Sequence, residues 1–229
     1  MVEKSPKLPG MRRQPRQARS QERVKQILDV AEQMFIAEGY HATTTNAIAI
    51  QAQVPIGSLY QFFPDKGAIV QALAVRYMEV LQQRLNALHT AETSQMNLSN
   101  YVDRIIDAIE QFFNDYPGYH SIFMQVQHSI PELEAIELAT DNLLVQDWAG
   151  ILSQYHPGLE SADYEMIAFT LVQVIGTLLW LSLSQEGIFR QRLVVETKRL
   201  MLSYLQSYFP MHEILPNNPN ASEQFNSVS

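Results

Sequence analysis

The stretch from Gly39 to Lys66, GYHATTTNAIAIQAQVPIGSLYQFFPDK, constrains this chain more than any other. Thr44 is a helix-capping residue type, because its hydroxyl can accept from a backbone N–H two or three residues on. After it, Ile48, Ala49 and Ala52 fall on one face of a short helix. Gln53-Val54 supplies a turn. Pro55 opens a second short helix, where its fixed φ suits the first turn and no hydrogen bond is lost. Leu59 and Phe63, four apart, are the expected buried anchors of that helix. Pro64 closes it, and Asp65 is placed to cap a longer helix from about Lys66 to Leu88. Upstream, Ser20 is placed to cap a first helix, in which Val24, Ile27, Leu28, Ala31 and Phe35 share a face. Gly39 ends that helix with a residue that tolerates a left-handed backbone.

The faces left over carry the chemistry. On the second short helix Ile56, Gly57, Ser58, Tyr60 and Gln61 point away from the anchors. This is the layout of a helix-turn-helix. The DNA major groove admits one α-helix, and the first residues of that helix reach base edges. Gly57 lets backbone approach closely. Gln61 is suited to pair with adenine, and Tyr60 and Lys66 to hold phosphates. Backbone amides at the helix starts near Thr44 and Asp65 add anion-binding donors. The charge distribution agrees. Residues 1–70 hold nine Lys/Arg against six Asp/Glu, whereas residues 71–229 hold seven against eighteen. Arg12, Arg13, Arg16, Arg19 and Arg23 concentrate the positive charge at one end. A basic end on an acidic body points to a polyanion partner, with a solvated tail as the alternative.

The run from about 20 to 75 resembles the TetR family of transcriptional regulators. The matched positions include Ile27 to Phe35, Gly39-Tyr40, Thr43-Thr44, Ile48-Ala49, Val54, Gly57, Leu59-Tyr60, Phe63 and Lys66. The resemblance implies that Thr44, Thr45 and Asn46 approach the DNA backbone. It places Ile56, Gly57, Tyr60, Gln61 and Phe62 on the recognition helix, with Pro55 and Ser58 beside them, and Lys66 on a phosphate. Several positions depart from the family pattern. Pro55 stands where a capping Ser or Thr is frequent, Ile56 where Lys is frequent, Gln53 where Gly is usual in the turn, and Gly67 where Glu is usual. Phe62 replaces a more common Tyr or His. These departures shift expected affinity toward the upstream arginines, with Arg19 and Arg23 as candidate DNA contacts.

The expected fold is all-α: a three-helix DNA-binding head over 20–66, then a larger helical body over 67–209. Residues 1–19 read as a flexible basic arm and 210–229 as a flexible tail. Helices are expected at about 98–115, 118–128, 131–155, 162–186 and 189–209, separated by Pro117-Gly118, Pro131, Pro157-Gly158 and Gly187. Residues 166–183 are apolar enough for a short membrane span, but Thr170, Gln173, Thr177 and Ser182 and the lack of a basic flank favour a buried helix. The resemblance implies a body that dimerises through its last two helices and encloses a ligand site. Leu171, Val174, Ile175, Leu178 and Leu179, with Leu200 and Tyr204, are the candidate interface. Phe112, Phe113, Tyr116, Tyr119, Phe123, Met124, Trp148 and Trp180 are candidates for lining a largely apolar effector pocket, the alternative being a plain core.

The absence of cysteine excludes disulfides, thiolate metal sites and cysteine nucleophiles, and fits a reducing cytoplasm. No P-loop, G-x-S-x-G or H-E-x-x-H motif is present, and His120 and His128 are too far apart for a shared helix face. No catalytic residue, metal or cofactor is expected, and no membrane partner. The combined expectation is a cytoplasmic, homodimeric regulator that reads a pseudo-palindromic operator, as a repressor released by a small molecule. A ligand-independent adaptor or nucleoid-type protein with the same head is the alternative.

Overall fold

The computed structural model describes residues 10–12, 18–89, 96–126, 129–155 and 157–209. Arg13, Arg16, His128 and the expected tail lie outside the described residues. Among those described are nine α-helices and no strand. They are α1 (Ala18–Glu38), α2 (Thr45–Gln51), α3 (Ile56–Phe62), α4 (Lys66–Asn86), α5 (Leu98–Asp115), α6 (Pro117–Val126), α7 (Glu132–Tyr155), α8 (Ser161–Leu183) and α9 (Gly187–Tyr208). The helix ends follow local chemistry. The Thr44 hydroxyl accepts from the Ala47 N–H at 3.1 Å and the Asp65 carboxylate from the Ala68 N–H at 2.8 Å. Both satisfy donors that a helix start leaves open. Gly39 ends α1 at φ +86°. One expected cap fails: α1 already begins at Ala18, so Ser20 lies inside the helix.

Packing divides the chain into two units, Met1–Arg84 with Ile109–Asn142, and Leu85–Ala108 with Leu143–Ser229. Residues of α4, α6 and early α7 belong with the head. The reason is visible inside the first unit, where Tyr77 of α4 meets the rings of Tyr116, Tyr119 and Phe123 at 5.6–6.3 Å between centroids. Glu32 of α1 accepts from the Tyr77 hydroxyl and from the Arg76 guanidinium, which also holds Asp29 at 2.6 Å. Burial, then Glu32, pushes the Tyr77 phenol well up, so it stays a donor. Gly118 fits here because it has no side chain. A Cβ would lie 2.5 Å from the Tyr77 hydroxyl and 3.0 Å from Glu32 Oε1.

In the second unit α8 packs along α9. Tyr164, Ile167, Ala168, Leu171, Ile175 and Leu179 form the inward face of α8, and Val194, Thr197, Met201 and Leu205 that of α9. Lys198 joins α9 to α5 through Asp107 at 2.6 Å and Asp103 at 3.1 Å. This packing removes three residues from the expected interface. Leu171, Ile175 and Leu179 recur every four residues and are buried within their own unit. Val174, Leu178 and Tyr204 are half-buried, and Leu200 is exposed. The exposed apolar stripe of α8 is instead Met166, Phe169 and Leu181, with Gly176 and Thr177 between them. By length and composition α8 could cross a membrane. Its inward face is covered by protein instead.

Candidate nucleic-acid interface

The geometry of α2 and α3 rests on a strained turn. Ala52 and Val54 donate back to Ile48 and Ala49 at 2.8 and 2.9 Å, and Gln53 between them adopts φ +52°. A side chain in that region costs about 1 kcal/mol relative to glycine. The turn anchors Ile48, Ala49, Ala52, Leu59 and Phe63 in one core. The two helices are also tied on their polar side, where the Thr45 hydroxyl and Tyr60 hydroxyl share a hydrogen bond of 3.0 Å. Two expected contact residues from different helices therefore form one surface.

That surface contains most of the candidates. Thr44, Asn46, Pro55, Ile56, Gly57, Tyr60 and Gln61 are exposed, and Thr45 and Ser58 are half-buried. Gly57 has nothing within 4 Å of where a Cβ would be, so its backbone is open to a close partner. At the start of α1, Arg19 is exposed and Arg23 half-buried. An α-helix presenting hydroxyls, an amide and bare backbone on its outward side can meet phosphates and base edges together.

Two candidates are corrected. Phe62 is 4% exposed and belongs to the core. Leu59, Phe62 and Phe63 sit at i, i+3 and i+4, so all three turn inward. Lys66 does not present its ammonium outward. It donates to the carbonyls of Tyr40 at 2.5 Å and Thr43 at 2.7 Å, with that of His41 at 3.5 Å, and lies 4.2 Å from the Tyr40 ring centroid. An ammonium has three donors, and these carbonyls occupy them. Burial lowers its pKa. Lys66 fastens the loop after α1 to the start of α4. The same loop is held from α6, because Gln125 Oε1 accepts from the Tyr40 N–H at 2.8 Å while its amide donates to Ser121 at 2.9 Å. Sequence reading missed Gln125, since an 85-residue separation leaves no local trace.

Of the basic arm, residues 10–12 are described and lie against the head. Met11 is 6% exposed, and the Arg12 N–H donates to the Phe62 carbonyl at 3.0 Å.

The candidate effector residues separate between the units. Phe112, Phe113, Tyr116, Tyr119 and Phe123 join Tyr77, which the sequence reading did not include, in one cluster with ring contacts of 5.1–6.3 Å. Burial pushes the Tyr119 phenol well up, with Glu137 and Asp141 adding to it. Met124 is exposed rather than lining that cluster. Trp148 and Trp180 belong to the second unit. Trp148 is buried, and its indole Nε1 has no hydrogen-bond partner.

Comparison with known proteins places this geometry. The model of bacterial regulatory proteins of the tetR family matches residues 27–73. The tetracyclin repressor-like C-terminal domain matches residues 97–205. The HTH-type transcriptional activator FasR of Mycolicibacterium smegmatis is 32% identical over 155 residues, covering 67% of this chain and 68% of FasR. The HTH-type transcriptional repressor NemR of Escherichia coli is 29% identical over 96 residues, covering 42% of this chain and 46% of NemR. A solved TetR-family transcriptional regulator from Streptomyces coelicolor shares the fold, with a TM-score of 0.58 at 24% identity over 81% of this chain and 98% of that one. The two-helix surface, the body that follows it and these relatives agree: the chain belongs to the TetR family of DNA-binding transcriptional regulators.

Proposed function

We propose that this regulator binds a pseudo-palindromic operator as a homodimer and is a repressor released by a small molecule. The observation that carries the reading is the outward face of α3, with Gly57, Tyr60 and Gln61 exposed and Tyr60 tied to Thr45 of α2. Two such helices in a dimer enter successive major grooves about 34–36 Å apart. The stripe of Met166, Phe169 and Leu181 supports dimerisation, because three large exposed apolar residues on one helix favour a partner surface. The second copy contributes the same patch. For the effector, the buried Trp148 Nε1 is the supporting feature. A buried donor left unpaired costs about 1–3 kcal/mol, and an acceptor on an otherwise apolar ligand recovers part of that. Coupling between effector and operator is expected at about 1–3 kcal/mol, so release is graded.

The similarity to FasR, named an activator, favours a second reading in which the same operator binding activates transcription. Selection of bound sites from random DNA, followed by anisotropy with a metabolite panel and a promoter reporter, tests all of these. The expected result is one two-fold symmetric site, a metabolite that weakens binding and reporter output that rises when the regulator is removed. Gln61→Ala is expected to weaken binding by about 1–3 kcal/mol and relax preference at one base pair in each half-site. Uniform coating of DNA without a preferred site would sink the operator reading in favour of a nucleoid-type protein. Loss of reporter output on removal would support the activator.

A further inference from the structure

The last carbonyls of a helix lack intrahelical donors, and in a seven-residue helix such as α3 they are a large share of the total. The Phe62 carbonyl, at the last residue of α3, is satisfied from outside the motif by the Arg12 N–H at 3.0 Å. The neighbouring residues fasten this contact. Met11 is 6% exposed although it comes from a polar, Pro- and Arg-rich run and lies in no helix. An unbranched thioether fills irregular gaps well. Gly10 adopts φ +75°, and a Cβ there would lie 2.6 Å from Gln71 Oε1 and 3.1 Å from the Ala68 Cα. Gln71 is itself buried, so its side chain has little room to give way. Residues 10–12 thus cross the end of α3 and the first two turns of α4. Arg12 remains exposed at the point where its backbone is pinned to α3.

On the reading that α3 enters a major groove, we propose that Gly10 and Met11 dock onto the α3–α4 corner and so position Arg12 as a further phosphate contact. Arg12 adds a cation beside the helix bearing Tyr60 and Gln61. Gly10 and Met11 are positioning residues that act through it. A purely structural role is the competing explanation, because a cation near a helix C-terminus is favourable without DNA. Salt dependence separates the two, since each phosphate contact releases counterions and adds about 0.9 to the slope of log affinity against log salt.

The experiment measures binding to the selected operator by anisotropy at several salt concentrations, with thermal melts of the same proteins. Arg12→Ala is expected to weaken binding about threefold to tenfold at moderate salt and to lower the slope by about one per subunit. Gly10→Ala and Met11→Ser are expected to reproduce that lower slope, and Met11→Leu to restore the unaltered value. An unchanged slope in Arg12→Ala overturns the phosphate contact even if the melt shifts. A lower slope in Arg12→Ala but not in Gly10→Ala and Met11→Ser overturns the docking. Failure of the unaltered protein to bind any DNA sinks the operator reading itself, a result distinct from both.

Discussion

The outward faces of α3 and α8 are both exposed, and their chemistry differs. α3 turns Gly57, Tyr60 and Gln61 outward over a core of Leu59, Phe62 and Phe63. α8 turns Met166, Phe169 and Leu181 outward over a core of Leu171, Ile175 and Leu179. Hydrogen-bonding groups beside an open glycine suit a hydrated, charged groove whose edges carry donors and acceptors. Large apolar groups suit another apolar surface and gain little from nucleic acid. On the proposed function, one helix reads and the other associates. Their periodic inner faces are alike, so the difference lies wholly in what each leaves exposed.

Substitutions on the two faces of α8 test this contrast most strongly. Leu179→Ala is expected to destabilise the fold by about 2–5 kcal/mol in denaturant titration, because it empties a fully buried site. Phe169→Asp is expected to lower the melt less than Leu179→Ala, shift sedimentation to monomer and weaken operator binding by about 100-fold or more through lost bivalency. If Phe169→Asp remained dimeric while Leu179→Ala became a folded monomer, the assignment of faces would be reversed.

A smaller effect is expected in the turn that sets α3. Gln53→Gly relieves a side chain at φ +52° and should raise stability by about 1 kcal/mol with operator preference intact. A destabilised variant would mean that the Gln53 side chain contributes more than its backbone costs.

The smallest expected effect concerns acid. His89 of the second unit shares a hydrogen bond of 3.0 Å with the Tyr101 hydroxyl. Burial lowers its pKa from 6.5, against an opposing pull from Asp147. The unfolded chain therefore binds the proton first as pH falls. The stability from the neutral ring is complete above 6.5 and is lost as pH drops toward the folded value. Thermal melts between about pH 7.5 and pH 5.5 should show this decline, and His89→Gln should flatten it. An equal decline in the variant would assign the effect to other groups.

The legible parts of the molecule were those with local causes. Thr44 and Asp65 cap helices through bonds three residues long, and Gly39, Pro55 and Pro117 punctuate the backbone by their own conformational limits. The spacing of Val24, Ile27, Leu28, Ala31 and Phe35 marks the buried face of α1 by its period alone. Gln61 and Tyr60 could be placed outside because Leu59 and Phe63 had to be inside. Phe62 stands among the contact residues by resemblance alone; three residues after Leu59 it falls on the inward face, and the packed core holds it there. α8 carries even less local information. A helix apolar nearly all round has no polar contrast, so its period cannot say which leucines turn inward.

By itself the sequence determined an all-helical chain, the helix boundaries that a local cap or breaker sets, the turn between α2 and α3, and the kind of partner that α3 suits. Each follows from residues within about one helical turn of one another, where propensity, capping and period act directly. Tertiary structure alone decided that Lys66 spends its ammonium on the loop after α1, that Gln125 reaches Tyr40, that Tyr77 gathers the aromatic cluster, and that Met11 and Arg12 are pinned to α3. Those contacts join residues far apart in the chain. Their partners are chosen by burial and by the need to satisfy buried polar groups, which no local pattern encodes.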